Sequence, residues 1–130
     1  MRAYLIAAAM VAGCHPGSNG APAPAGGPLQ TTVHAVLTTP SLTGRTVEVN
    51  GRCLGYSAPT IAKGSPPLTR SDWQLEDQGE AIWVSGPLPA GCTSTTPASA
   101  PGLVTANVAQ DTLPGLGGQS ATPRQYLVRK

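Results

Sequence analysis

The chain has 130 residues, room for one domain, and its 16 Gly and 14 Pro leave part of it unable to pack a core. A formal charge of +2, with no run of basic residues, does not make the electrostatic footprint of a nucleic-acid-binding surface. Phe is absent and only three cysteines occur, so neither an aromatic-rich core nor a dense disulfide framework is available.

In chain order, Arg2 precedes an apolar run from Ala3 to Val11, and the small residues Ala12 and Gly13 lead to Cys14. Residues 1–13 thus read as the charged, apolar and small-residue regions of an export signal. The run is too short to span a bilayer, which needs roughly 20 apolar residues. Val11-Ala12-Gly13-Cys14 resembles the lipobox of bacterial lipoproteins. That resemblance implies cleavage before Cys14, diacylglycerol on its thiol and an acylated new amino group. The membrane would then be the first partner, through fatty acyl chains. Each buried methylene contributes about 0.8 kcal/mol, so two or three chains hold firmly where one does not. His15, not Asp, follows the cysteine, which by resemblance to enterobacterial sorting favours the periplasmic face of the outer membrane in a diderm host. One His beside a modified Cys does not make a metal site.

Residues 14–30 form the lipidated Cys and a linker of Pro, Gly, Ala and Ser that cannot bury an apolar face. Order is expected from near Leu29, with the domain over residues 31–130. Val33, Val36 and Leu37 at helical spacing predict a short helix capped by Thr31 or Thr32 and stopped before Pro40. His34 on this helix reads as a surface or boundary residue.

The period then changes to two. Val47, Val49 and Cys53 alternate with Thr46, Glu48 and Asn50 in a first strand over residues 45–53, with a bend or bulge at Gly51. A loop of Gly, Pro and Ser spans 55–71. Residues 72–77 and 80–86 form a hairpin turning at Gln78-Gly79. Trp73, Leu75, Ile82 and Val84 face the core; Gln74, Glu76, Ala81, Trp83 and Ser85 face outward. A loop over 87–101, a strand over 103–109, a loop over 113–123 and a last strand over 125–129 complete the chain. With no second helix to cross over a parallel sheet, the fold class is mainly β, a five-stranded antiparallel barrel behind a short N-terminal helix.

Gly44-Arg-Thr-Val-Glu-Val-Asn-Gly-Arg52, Asp72-Trp-Gln-Leu-Glu-Asp77 and Ala81-Ile-Trp-Val-Ser85 resemble the first three strands of OB-fold domains of the tRNA-anticodon-binding type. The resemblance implies a ligand face over the second and third strands and adjoining loops. It falls here on Arg52, Tyr56, Arg70, Gln74, Trp83 and Ser85. An outward Trp83 would stack on a base or sugar ring. The alternative is that the loop before Asp72 folds over Trp83 and makes it core.

If Cys14 carries lipid, Cys53 and Cys92 remain as a disulfide pair in an oxidising compartment. No catalytic motif of the GxSxG, CxxC or HExxH kind occurs, nor a phosphate-cradling loop. Asp72, Glu76, Asp77 and Glu80 read as strand-end and turn chemistry rather than an acid–base pair or cation site. The expectation is a non-enzymatic binding module of the cell envelope, needing no cofactor or metal and recognising a protein or a glycan. The other expectation, carried by the OB resemblance alone, is single-stranded nucleic acid, against which charge and address both argue.

Overall fold

The structure is a computed structural model that describes residues 27–130; the expected signal, Cys14 and the linker as far as residue 26 lie outside the described residues. Six strands, one helix and one short 3-10 turn follow one another. They are β1 (Leu29–Thr31), α1 (Val33–Thr38), the turn Pro40–Leu42, β2 (Thr46–Gly55), β3 (Trp73–Asp77), β4 (Glu80–Ser85), β5 (Gly102–Leu113) and β6 (Thr122–Val128).

The sheet runs β1-β2-β3-β4-β6-β5, and β5 returns to pair with β2. Strands β2 to β6 therefore close a five-stranded barrel, compatible with an OB-like fold. The barrel is mixed rather than wholly antiparallel. β4 and β6 are parallel through Val84↔Leu127 and Ser85↔Val128, while the other barrel pairs are antiparallel. β1 adds to the first half of β2 in parallel, Leu29↔Val47 to Thr31↔Val49. Three residues carry no period, so this strand is not legible as one in the sequence.

The alternation along each strand fills the interior. Val47 and Val49 of β2, Trp73 and Leu75 of β3, Ile82 and Val84 of β4, and Val104, Ala106 and Val108 of β5 form one buried cluster. Burying a Val or Leu side chain contributes about 1.5–3 kcal/mol relative to leaving it exposed. Trp73 keeps its indole N–H satisfied by donating to Gly86 O at 3.0 Å.

Six residues are too few to form a helix alone in water, so α1 exists because its apolar side packs on the barrel. Val33 and Val36 are fully buried in the barrel cluster. Thr32 is the N-cap, its Oγ1 accepting from Ala35 N at 3.0 Å. At the other end, Gln125 Nε2 of β6 donates to Val36 O at 2.7 Å and to Thr39 O at 2.9 Å. Val36 O would otherwise lack a partner, because the residue four on is Pro40; Thr39 O accepts from Leu42 N as well, at 3.0 Å. His34 is exposed and meets Glu80 at the hairpin turn, Nδ1 to Oε1 2.8 Å.

The hairpin turns at Gln78-Gly79, with φ of 57° and 82°. Two successive positive φ values between Asp77 and Glu80 make a type I′ turn, whose first position favours Asn or Gly over Gln. Gln78→Asn should raise stability by about 0.5 kcal/mol, read as a shift in the urea midpoint at unchanged m-value. The irregularity expected at Gly51 falls later, as a register shift between Cys53 and Gly55. Gly51 answers a close approach instead: a Cβ there would lie 2.8 Å from Leu75 Cγ and 3.0 Å from Glu76 O.

Cys53 and Cys92 are joined by a disulfide, with Cα atoms 6.1 Å apart and a sequence separation of 39. It ties the otherwise irregular segment after β4 to the end of β2. Among the described residues no helix is long and apolar enough to cross a membrane.

Candidate functional site

Gln74, Ala81, Trp83 and Ser85 turn away from the barrel interior, as their alternation dictates. They are nevertheless buried, so of the two expectations for this face, open at Gln74, Trp83 and Ser85 or covered by the loop before Asp72, the covered one is found. The segment between β2 and β3 lies over them. Its Ala62 forms a second apolar cluster with Ala81, Trp83 and Tyr126, and Trp83 is only 5 % exposed. The physical reason is a matched set of polar partners. A segment covering a sheet must satisfy its own backbone groups, and three side chains of the barrel do this.

Gln74, almost wholly buried, accepts at Oε1 from Ile61 N at 2.7 Å and Ala62 N at 2.8 Å, and donates from Nε2 to Pro59 O at 3.1 Å. Asp72 accepts at Oδ2 from Leu68 N at 2.7 Å and Thr69 N at 3.0 Å, and at Oδ1 from Thr69 Oγ1 at 2.9 Å. Arg124 of β6 grips Asp111 of β5 with two bonds, Nε to Oδ1 2.9 Å and Nη2 to Oδ2 2.6 Å. Its Nη1 then donates to Lys63 O at 2.8 Å and Ser65 O at 2.6 Å. Arg124 and Asp111 carried no signal in the sequence, because nothing local relates residues 13 apart on two strands to a loop some 60 residues earlier. Thr69-Arg-Ser-Asp72 did carry one, as the spacing of a side chain that caps its own turn.

Of the remaining expected ligand residues, Tyr56 and Arg70 are exposed and Arg52 is half-buried, its Nε 3.9 Å from Glu76 Oε2. Two buried nitrogens, Arg52 Nε and Trp83 Nε1, lack a hydrogen-bond partner among the described residues. The structure thus divides the six-residue set. Three residues sit beneath the covering segment, and three remain at or near the surface.

Three of the four carboxylates around the hairpin have separate duties. Asp72 caps the turn, Glu76 accepts from Gly79 N at 3.1 Å, and Glu80 meets His34. Among the described residues no group of three or more His, Cys, Asp or Glu is placed to hold a metal ion. Burial alone would raise the Asp72 carboxyl. Hydrogen bonds from the backbones of Thr69 and Leu68 and the side chains of Ser85 and Thr69 outweigh it and hold the group below its ordinary 3.8. A carboxyl depressed on folding stabilises the fold above its unfolded value, and that stability is lost as pH falls through its folded value. The covering segment should therefore loosen in acid, below about pH 4. Asp72→Asn should lower stability at neutral pH and flatten that acid limb, which urea titrations at stepped pH would measure. Tyr126, in the second cluster, has its hydroxyl pKa raised by burial and by Asp111, with Arg124 opposing.

Beside the covered face lies a groove of about 430 Å³. Leu37 and Thr38 at the end of α1, Ile61 and Lys63 of the covering segment, Glu80 and Ala81 of the hairpin, and Pro123 of β6 line it. Its size falls within the range of small-ligand sites. Apolar side chains share the lining with Lys63, Glu80, Arg124 and Gln125, so it suits a compact group with both apolar and polar parts. Glu80 is already engaged by His34, and the groove assembles no nucleophile with a base.

No family model matches the chain, and no curated protein or solved structure matches it.

Proposed function

We propose that this protein is an extracytoplasmic lipoprotein whose barrel is a binding module, held at a membrane by lipid on Cys14. The Cys53–Cys92 disulfide is the observation that carries the reading. Such bonds persist in oxidising compartments and are rare where thiols are kept reduced. Pairing these two cysteines leaves Cys14, behind its export-type leader, as the one free for acylation. The Pro- and Gly-rich stretch after it supplies slack between lipid and barrel. In a diderm host the address is the periplasmic face of the outer membrane, because His15 rather than Asp follows the cysteine.

A protein or a glycan is the ligand class this reading favours, and the groove beside α1 is a seat for part of it. Single-stranded nucleic acid is set aside. The indole that would stack a base lies beneath the covering segment, and the chain has almost no net charge with which to neutralise phosphates. Fractionation of cells making the native protein and its Cys14→Ser variant tests the anchor. The native chain should sediment with membranes and the variant should be released. Equal distribution of the two would overturn the reading.

A further inference from the structure

β5 is shared between two neighbours. Its residues 102–107 pair with β2, and its residues 107–113 pair with β6. Val108 N donates to Arg45 O at 2.9 Å, and Gly44 N donates to Val108 O at 2.8 Å. In an antiparallel ladder, residues that bond a given neighbour alternate with residues that bond the other side. Counting by two from Val108, the residues that bond β2 are Ala106, Val104 and Gly102. Leu103, Thr105 and Asn107 therefore turn their N–H and C=O groups away from β2. Asn107 faces Val128 there, but β6 ends at Val128. Beyond it the chain stays with β4, Arg129 N donating to Ser85 O at 2.7 Å and Arg129 Nη1 to Pro87 O at 2.8 Å. Among the described residues Leu103 and Thr105 make no backbone hydrogen bond outside the strand ladders.

The result is an open strand edge beside a groove of about 370 Å³, bordered by Leu103, Thr105, Asn107, Arg129 and Lys130. Leu103 is 66 % exposed, unusual for a leucine in a barrel strand. Neither Arg129 nor Lys130 has a carboxylate partner among the described residues.

The geometry points to this edge as the docking site for an extended segment of a partner protein, one carrying an apolar residue against Leu103 and a carboxylate against Arg129. Unpaired N–H and C=O groups on alternate residues match the repeat of another strand, and added strands gain affinity from main-chain bonds and specificity from side chains. A second copy of this chain would bring two further cations to the same groove, so charge favours an acidic partner. The inference rests on reading the barrel as a binding module. It uses a surface distinct from the groove beside α1, and it fails or stands independently of the lipid anchor.

The test uses the full chain carrying Cys14→Ser and a blocked peptide of alternating valine and glutamate, about eight residues long, or four of the two-residue repeats of a strand. A twin peptide is N-methylated at every amide, so that neither of its edges can donate. The plain peptide should bind, and the methylated twin about tenfold or more weaker. Leu103→Glu should weaken binding by a similar factor, because it adds a like charge to the peptide and removes the apolar contact. Thr105→Pro should do the same while sparing the bonds to β2, since its N–H points away from that strand. Both variants should keep the native far-UV spectrum. Equal binding of the two peptides, or no binding at about 1 mM, would overturn the proposal. Self-association abolished by Leu103→Glu would also overturn it, by making a second copy the occupant.

Discussion

Replacing Cys53 and Cys92 together by alanine should lower the free energy of unfolding by about 4 kcal/mol, the loop-closure value for a separation of 39. The loop contains β3, β4, the segment between β2 and β3 and the start of the segment after β4, so the bond constrains a large part of the unfolded barrel. Chain entropy is one part of the effect. Both cysteines are also buried in the main cluster, where alanine fills less space. Small single domains hold only about 5–15 kcal/mol in all, so the bond is a large share of the total. On a domain of this size the loss should appear as a fall in Tm of about 20 °C. Reduction of the native protein should reproduce most of it. A change under about 1 kcal/mol would mean that the barrel holds its own ends together without the bond.

Arg124→Ala should cost about 2–3 kcal/mol and uncover Trp83. The guanidinium is 7 % exposed and makes four bonds, two to Asp111 and one each to Lys63 O and Ser65 O. Its loss leaves a partly buried carboxylate and two carbonyls that must find water. Asp111 retains some solvent access, which keeps the cost below that of a wholly buried pair. The readout that separates this role from ordinary packing is fluorescence. In the native protein both indoles are shielded, Trp73 in the main cluster and Trp83 beneath Ala62. Acrylamide should quench the native emission weakly and the Arg124→Ala emission more strongly. Arg124→Lys should restore little, because an ammonium cannot reproduce the planar fork that serves Asp111 and the loop at once. Unchanged quenching in Arg124→Ala would show that Gln74 and Asp72 hold the segment unaided.

Local pattern made the barrel legible where a strand alternates and ends on a turn. Val47, Val49 and Cys53, and the Trp73–Leu75–Ile82–Val84 set on the hairpin, pointed inward as expected, because period two and the Gln78-Gly79 turn decide facing without outside help. The helix was capped by Thr32 and stopped before Pro40, as its sequence indicated. Pro40 starts a 3-10 turn of its own that buries Leu42. β5 was longer than its sequence indicated, since Gln110, Asp111 and Thr112 are too polar to read as strand and are kept in it by pairing with β6. The parallel β4–β6 closure could not be read, because it joins residues more than 40 apart through backbone groups that every sequence has. The site was half legible for the same reason. Alternation alone placed Trp83 on the outer face. Whether that face was open depended on Gln74, Asp72 and Arg124 finding loop carbonyls and amides, and only the fold brings those together.

The proposed lipid on Cys14 would fix where the barrel works and would leave Cys53 and Cys92 as the remaining pair. Mass spectrometry of the N-terminal peptide from the membrane-extracted protein tests it most directly. The peptide should begin at Cys14 and carry a diacylglyceryl group with an amide-linked acyl chain, and Met1 to Gly13 should be absent. A peptide that begins at Met1, or one that begins elsewhere with an unmodified Cys14, would contradict the account.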